Sequence, residues 1–214
     1  MNTRTTLIIV IGISLMLALA GFLLQGQMQT PYAVHWNAAG EADGYGGAFT
    51  ALYLIPVMLL GISLILLGLP RIDPMRTARM NFGLVNGVTL VLALYMAYIH
   101  ALTLAWNLGY RFNMSQMMTP AFGLLFIVMG FLVERAQQNW FVGIRTPWTL
   151  SNSLVWEKTH RLGGLLFKIS GGLALLGVFL PSLAIWFVIL PVLAASLVTV
   201  VYSYVVFRQI EQKV

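Results

Sequence analysis

Long apolar runs alternate with short polar stretches along the whole chain. A hydrocarbon core about 30 Å thick requires about 20 mostly apolar residues for one helical crossing. Pro181 and Ser182 predict a tight turn between the last two runs. The pattern predicts an all-α integral membrane protein with six transmembrane helices, at residues 7–24, 51–69, 82–106, 117–133, 163–180 and 183–207.

Composition indicates that lipid is the main solvent of the outer surface. The 214 residues are 59% hydrophobic and only 8% charged, whereas soluble domains carry about 25% charged residues. So few charges do not cover a water-facing surface, and the lipid bilayer is therefore the first predicted partner. The chain has no cysteine, which excludes disulfides and thiolate metal sites.

The placement of lysine and arginine predicts the orientation of the helices. Positive residues accumulate in cytoplasmic segments of membrane proteins. This rule explains the net charge of +6, so direct nucleic-acid binding is not expected. Arg111 falls in an outer segment, and Lys168 lies inside the fifth span, where it can extend back to the inner face. With both termini in the cytoplasm, the inner segments contain Arg4, Arg71, Arg76, Arg79, Arg135, Arg145, Lys158, Arg161, Arg208 and Lys213.

The first apolar run also imitates a signal peptide, because Arg4 precedes it and Ala18-Leu19-Ala20 resembles a cleavage site. The run continues beyond that site, so a retained helix is the prediction. We divide the chain into a helical hairpin at residues 1–69, with an outer loop at 25–50, and a membrane domain at 70–214. The second part contains a cytoplasmic loop at 134–162.

The outer loop is rich in turn-forming residues, because Pro31, Gly40, Gly44, Gly46 and Gly47 interrupt any helix. Several readings remain open. The polar and aromatic side chains could converge into a small pocket, anchor the loop at the lipid headgroups, or form a recognition surface for an extracellular partner. A metal site is not expected, since catalytic zinc usually takes three protein ligands and no second histidine is near. The candidate residues are His35, Trp36, Asn37, Gly40, Asp43 and Tyr45.

The cytoplasmic loop is dense in tryptophan and hydrogen-bonding groups. Gly143 and Pro147 prevent a continuous helix across residues 140–148, and Arg145 requires a carboxylate or carbonyl partner. Apolar and polar residues then alternate at helical spacing, which predicts a short interfacial helix in the membrane plane from Ser151 to Arg161. An ordinary aromatic belt with positive charges is the alternative. It does not explain the density of amide and hydroxyl side chains.

Two motifs carry a resemblance to a known family. The stretch NWFVGIRTPWTLSNSLVWEKTH, residues 139–160, resembles the signature of the SdpI family of bacterial multispanning membrane proteins. The upstream HWNAAGEAD, residues 35–43, resembles a small domain of unknown function that often precedes it. The SdpI-like pattern falls on Asn139, Gly143, Arg145, Thr149, Trp156 and His160.

The resemblance implies a toxin-immunity protein in the bacterial plasma membrane. Its expected partners are a secreted, membrane-active toxin peptide and a cytoplasmic repressor to which the signal passes. One alternative is a transporter or channel for a small solute or ion, although the spans contain no row of acids or arginines. A second is a metal-dependent membrane enzyme, with His35 beside Asp43 or His160 beside Glu157 as candidate pairs. Neither pair has a serine or cysteine partner at a familiar spacing, so we expect no catalysis and no cofactor.

A few polar residues interrupt the spans. His100 lies near the outer end of the third span, six residues before Trp106, and we interpret it as a neutral interfacial histidine rather than a functional group. Asn81 and Asn86 are expected to hydrogen-bond neighbouring helices. Several glycines in the fifth span predict close helix packing.

Overall fold

The computed structural model describes residues 2–73 and 82–212, which contain seven α-helices and one β-hairpin. All helices except α5 are long and apolar enough to cross a membrane, so the predicted six spans are confirmed. Arg76, Arg79, Asn81 and Lys213 lie outside the described residues. The elements are α1 Thr3–Leu24, β1 Tyr32–Trp36, β2 Ala42–Gly46, α2 Leu54–Ile72, α3 Phe82–Asn107, α4 Met114–Glu134, α5 Pro147–Ser151, α6 Ser153–Leu176 and α7 Ala184–Glu211.

The predicted interfacial helix from Ser151 to Arg161 is not a separate element. Ser151 ends α5, and residues 153–161 are the first turns of α6, which continues without a break into the fifth span. Asn152 makes the division, because its Oδ1 accepts hydrogen bonds from the Leu154 and Val155 amides and caps α6. The helix α6 thus begins ten residues earlier than its apolar run, and the position of these first turns in the membrane interface stays a prediction.

The long helices form two groups of three. Helices α1, α2 and α3 pack together as the first unit, and α4, α6 and α7 pack together as the second unit. The two units meet along α3 and α4, a contact that we call the seam. The predicted domain division after residue 69 stays a prediction; in the structure α3 packs beside α1 and α2.

Glycines bring α4 and α6 into direct backbone contact. A Cβ atom added to Gly171 would lie 2.5 Å from the Gly123 carbonyl oxygen, and one added to Gly164 would lie 2.7 Å from the Gly130 carbonyl oxygen. Small residues allow such close approach between membrane helices. The predicted packing role is thus confirmed for Gly164 and Gly171, whereas Gly172 has no neighbour within 4 Å.

The two motif-bearing segments lie at opposite ends of the bundle. Because successive long helices run in opposite directions, the β-hairpin, the α3–α4 connection and the α6–α7 connection share one end, which we call the hairpin end. The segment 135–152, which we call the motif loop, lies at the other end together with the start of α1 and the end of α7. We call this the motif end.

Candidate functional site

The hairpin displays one exposed polar pair. His35 on β1 and Asp43 on β2 are joined by a 2.6 Å hydrogen bond between Nδ1 and Oδ1, and their side chains are 70% and 44% exposed. Gly44 lies opposite His35 in the strand pairing, where a Cβ would lie 2.7 Å from the His35 Cβ. The pair and the exposed Tyr45 therefore face outward rather than into a shared pocket.

The residues between these strands shape the hairpin turn, residues 37–41. The Asn37 side chain accepts a hydrogen bond from the Glu41 amide at 3.0 Å, and such bonds to nearby main-chain amides are common for asparagine in turns. Gly40 has a φ of +82°, a left-handed conformation that favours glycine. Trp36 packs edge-on against Trp106 with ring centroids 5.9 Å apart. These members of the outer motif build the turn and its support.

The hairpin turn belongs to the first unit but is held by the second. The Asn113 amide donates to the Ala39 carbonyl at 2.6 Å, and the Met114 amide donates to the Gly40 carbonyl at 3.1 Å. Ser115 on α4 also donates to the Asn37 carbonyl at 3.3 Å. A Cβ on Gly40 would lie 2.2 Å from the Asn113 Oδ1. The glycine is therefore required for this close approach as well as for its φ.

Asn107, which sequence reasoning did not single out, fixes β1 to the end of α3. Its Oδ1 accepts from the Ala33 amide at 2.8 Å, and its Nδ2 donates to the Ala33 carbonyl at 3.0 Å. The side chain thereby pairs with a strand as another strand would. The available signal was a lone amide at the end of an apolar run, directly after Trp106.

The motif loop is organised around the buried Asn139. Its Oδ1 accepts from the Phe141 and Val142 amides, and its Nδ2 donates to the Gln137 and Val142 carbonyls. One side chain therefore satisfies four main-chain groups of a non-helical segment. Buried main-chain groups require such partners, which explains an asparagine at this position.

His160 and Gly143 form the contact between the motif loop and α6. The His160 Nε2 accepts from the Ile144 amide at 2.9 Å, so its Nδ1 carries the proton and donates to the Trp156 carbonyl at 2.9 Å. The imidazole stacks on Trp156 with ring centroids 3.9 Å apart. Gly143 has a φ of +124°, and its Cβ would lie 2.3 Å from the His160 Nε2. Both ring nitrogens of His160 thus hydrogen-bond main-chain groups.

Two threonines fold the following turn. Thr146 and Thr149 form a reciprocal capping box at the start of α5, and Thr149 also donates to the Ile144 carbonyl at 2.9 Å. The Thr146 hydroxyl lies 3.2 Å from the Ser203 hydroxyl on α7. This contact holds the turn against the second unit. The predicted motif residue Thr149 is therefore a fully buried structural residue.

Arg145 differs from the other motif residues because it is exposed. Its Nη1 donates to the Trp140 carbonyl at 2.8 Å, which confirms a carbonyl partner. The carboxylate of Glu134 pairs with Lys168, at 2.7 Å. The Arg145 guanidinium therefore remains accessible at the motif end.

The motif loop belongs to the second unit but packs on the first. Phe141 and Val142 contact the cluster around Leu67 on α2 and Val85 on α3. The Trp140 amide lies 3.5 Å from the Asp73 Oδ2, just after α2. The hairpin turn and the motif loop therefore cross the seam in opposite directions at its two ends.

A polar pocket of about 370 Å³ opens beside the motif loop. Trp156 and His160 form its buried floor, and Glu134, Arg135 and Glu157 line it. Within residues 2–73 and 82–212, no three histidine, aspartate or glutamate side chains stand together as metal ligands. The pocket offers charged contacts to a partner at the motif end.

His100 is fully buried within the protein, and its predicted depth near the membrane interface stays a prediction. The main chain of Leu17 on α1 is the polar group that faces the imidazole. Periodicity alone did not show which face of α3 turns inward.

Comparisons with known proteins agree with the sequence motifs. A family model described as the SdpI/YfhL protein family matches residues 135–204, and a model described as a domain of unknown function, DUF1648, matches residues 11–60. The chain is 26% identical over 194 residues to Immunity protein SdpI of Bacillus subtilis (strain 168), covering 90% of this chain and 91% of that protein. No solved structure matches. The predicted resemblance is confirmed.

Proposed function

We propose that this chain, which is similar to the SdpI family in residues 135–204, confers immunity to a membrane-active toxin peptide in the bacterial plasma membrane. The hairpin end faces outward in this proposal, and the motif end faces the cytoplasm. The lysine and arginine distribution supports the orientation. The similarity to a protein named for immunity supports the activity.

One observation carries the mechanism: each motif-bearing segment is anchored on the helical unit to which it does not belong. The hairpin turn rests on Asn113 and Ser115 at the start of α4. The motif loop rests on Leu67 and Val85 in the first unit. A displacement of either segment therefore changes the relative position of the two units, and the other segment is attached to both.

The outer contact surface of the proposal is the exposed His35–Asp43 pair with Tyr45. Peptide bound there shifts the hairpin turn and with it the start of α4. Because α4 and α6 touch through their backbones at Gly123 and Gly171, the shift continues into α6. The start of α6 carries Trp156 and His160, which support the motif loop.

The inner response surface is formed by exposed groups at the motif end. Arg145 and Trp140 are exposed there, and the polar pocket lies beside them. In this proposal a cytoplasmic repressor contacts the surface when the motif loop is repositioned. Arg145 is the group with which an acidic or carbonyl-rich partner surface would pair.

Survival of a sensitive bacterial host tests the proposal. Expression of the chain is expected to raise survival against a family toxin peptide, and His35→Ala and Arg145→Ala are expected to reduce it. Gln27→Ala is the control for His35 because it is also exposed at the hairpin end, and Lys158→Ala removes an equal charge at the motif end. Unchanged survival in both test variants, at normal membrane levels of protein, would contradict the proposal.

A reporter gene controlled by the repressor separates the two steps. The substitution His35→Ala at the outer surface should reduce both the survival of the host and the response of the reporter. Loss at Arg145 should reduce the reporter response more strongly than survival. If the reporter ignores toxin in the parent protein while survival is maintained, the relay is wrong and immunity alone remains.

A further inference from the structure

The seam between the two units contains an apolar groove of about 370 Å³. Its walls come from residues 91–98 of α3 and 120–128 of α4, which are the middle turns of both helices. On the hairpin side, the Tyr98 hydroxyl crosses to α4 and donates to the Met117 carbonyl at 2.8 Å. The groove is therefore open sideways, toward the lipid, at the depth of the bilayer centre.

We infer that this groove binds the terminal half of one phospholipid acyl chain and retains it longer than the surrounding bilayer does. The groove continues the α3–α4 contact, so an occupant fills space between the two units instead of covering an outer face. Unfilled walls would forfeit their dispersion contacts. At this depth the surrounding solvent is hydrocarbon chain.

The rim favours a thin flexible occupant over a helix. Membrane helices associate where small residues let their backbones approach, but Leu94 and Leu124 protrude at this rim with exposures of 64% and 59%. Each wall spans only about two turns of its helix, about 11–12 Å, which is a short contact surface for a membrane-spanning helix. An acyl chain can pass between the protruding leucines.

Photocrosslinking with a lipid probe tests the inference. The whole protein is reconstituted in phosphatidylethanolamine and phosphatidylglycerol vesicles that contain a trace of phospholipid with a diazirine in the terminal half of one chain. After irradiation, mass spectrometry maps the adducts. Leu193 on α7 is the matched control, because its exposure is also 59% and its distance from the hairpin end of its helix is nearly that of Leu124.

Adducts are expected to be several-fold more frequent around Leu124 than around Leu193 in the unmodified protein. Ala121→Phe, which fills the groove, should reduce the yield at Leu124 several-fold, whereas Leu193→Phe should leave that yield unchanged. Equal yields at Leu124 and Leu193 in the unmodified protein would overturn the inference, and this comparison does not depend on whether Ala121→Phe folds. Immunity is not involved in any of these readouts.

Discussion

The β-hairpin and the motif loop make the same kind of connection, but the histidine of each sequence motif is placed differently. His35 is exposed and its imidazole pairs with Asp43, so it contributes little to holding the hairpin together. His160 is buried and both of its ring nitrogens bond the main chain. A histidine within a motif is therefore exposed and available for contacts at one end and a buried structural group at the other. Accessibility, rather than residue type, separates them.

The two connections also differ in what would loosen them. The motif loop depends on buried side chains, Asn139, Thr149 and His160, that bond its main chain. The hairpin depends on a few hydrogen bonds from Asn107 on α3 and from the start of α4. Substitutions in the motif loop should therefore change stability most. Substitutions on the outer face of the hairpin should change function with little effect on stability.

Gly143→Ala is expected to have the largest effect on stability. The new Cβ would lie 2.3 Å from the His160 Nε2 at a φ of +124°, so the loop must abandon the His160 contact or accept strain. We expect a loss of about 3 kcal/mol or more, measured by thermal or denaturant unfolding in detergent. Gly172→Ala is the control, since α6 leaves open space there. If the two variants were equally stable, the motif loop would not be the more tightly packed of the two connections.

Asn107→Ala is expected to have an intermediate effect. The substitution removes two hydrogen bonds to Ala33 and one to the Thr103 carbonyl. Unpaired buried amide and carbonyl groups cost about 1–3 kcal/mol, and the expected loss lies in that range. Limited proteolysis should show new cleavage between residues 30 and 50, while the motif loop stays protected. Cleavage at both ends together would show that the two connections do not loosen independently.

His35→Ala is expected to have the smallest effect on stability. The His35–Asp43 pair is exposed, and exposed ion pairs contribute about 0–1 kcal/mol. Unfolding in detergent should therefore match the parent protein within about 0.5 kcal/mol. His160→Ala, measured beside it, should be clearly less stable. Similar losses in the two variants would contradict the assignment of a contact role to one histidine and a structural role to the other.

The apolar pattern alone was sufficient to predict the six spans, because a helix in lipid must satisfy its main-chain groups within itself. It did not predict that α6 begins at Ser153. Polar residues at the start of a membrane helix look like a loop in sequence. In the structure, the Asn152 cap and the contacts of Val155 and Trp156 make them the first turns of α6. For that reason the sequence pattern did not join residues 153–161 to the fifth span.

The strands of the hairpin were also missed. Each strand is only five residues long and β2 contains two glycines, so local propensity is weak. Their pairing is stabilised by the Asn107 side chain, which lies 74 residues from Ala33. The motif residues could be located by resemblance, but their roles depend on partners such as Ile144 and Ala33 that no pattern in the sequence connects to them.

The distance in sequence between the hairpin and its supports sets the order in which the chain can assemble. Ala33 leaves the ribosome 74 residues before Asn107, and Ala39 precedes Asn113 by the same interval. At about 5–20 residues per second, the strand waits roughly 4–15 s for its partners. The motif loop finds α2 and α3 already made when it emerges. During biosynthesis the hairpin is therefore synthesised early but reaches its final position late. In that interval it is exposed to proteases and chaperones at the membrane surface.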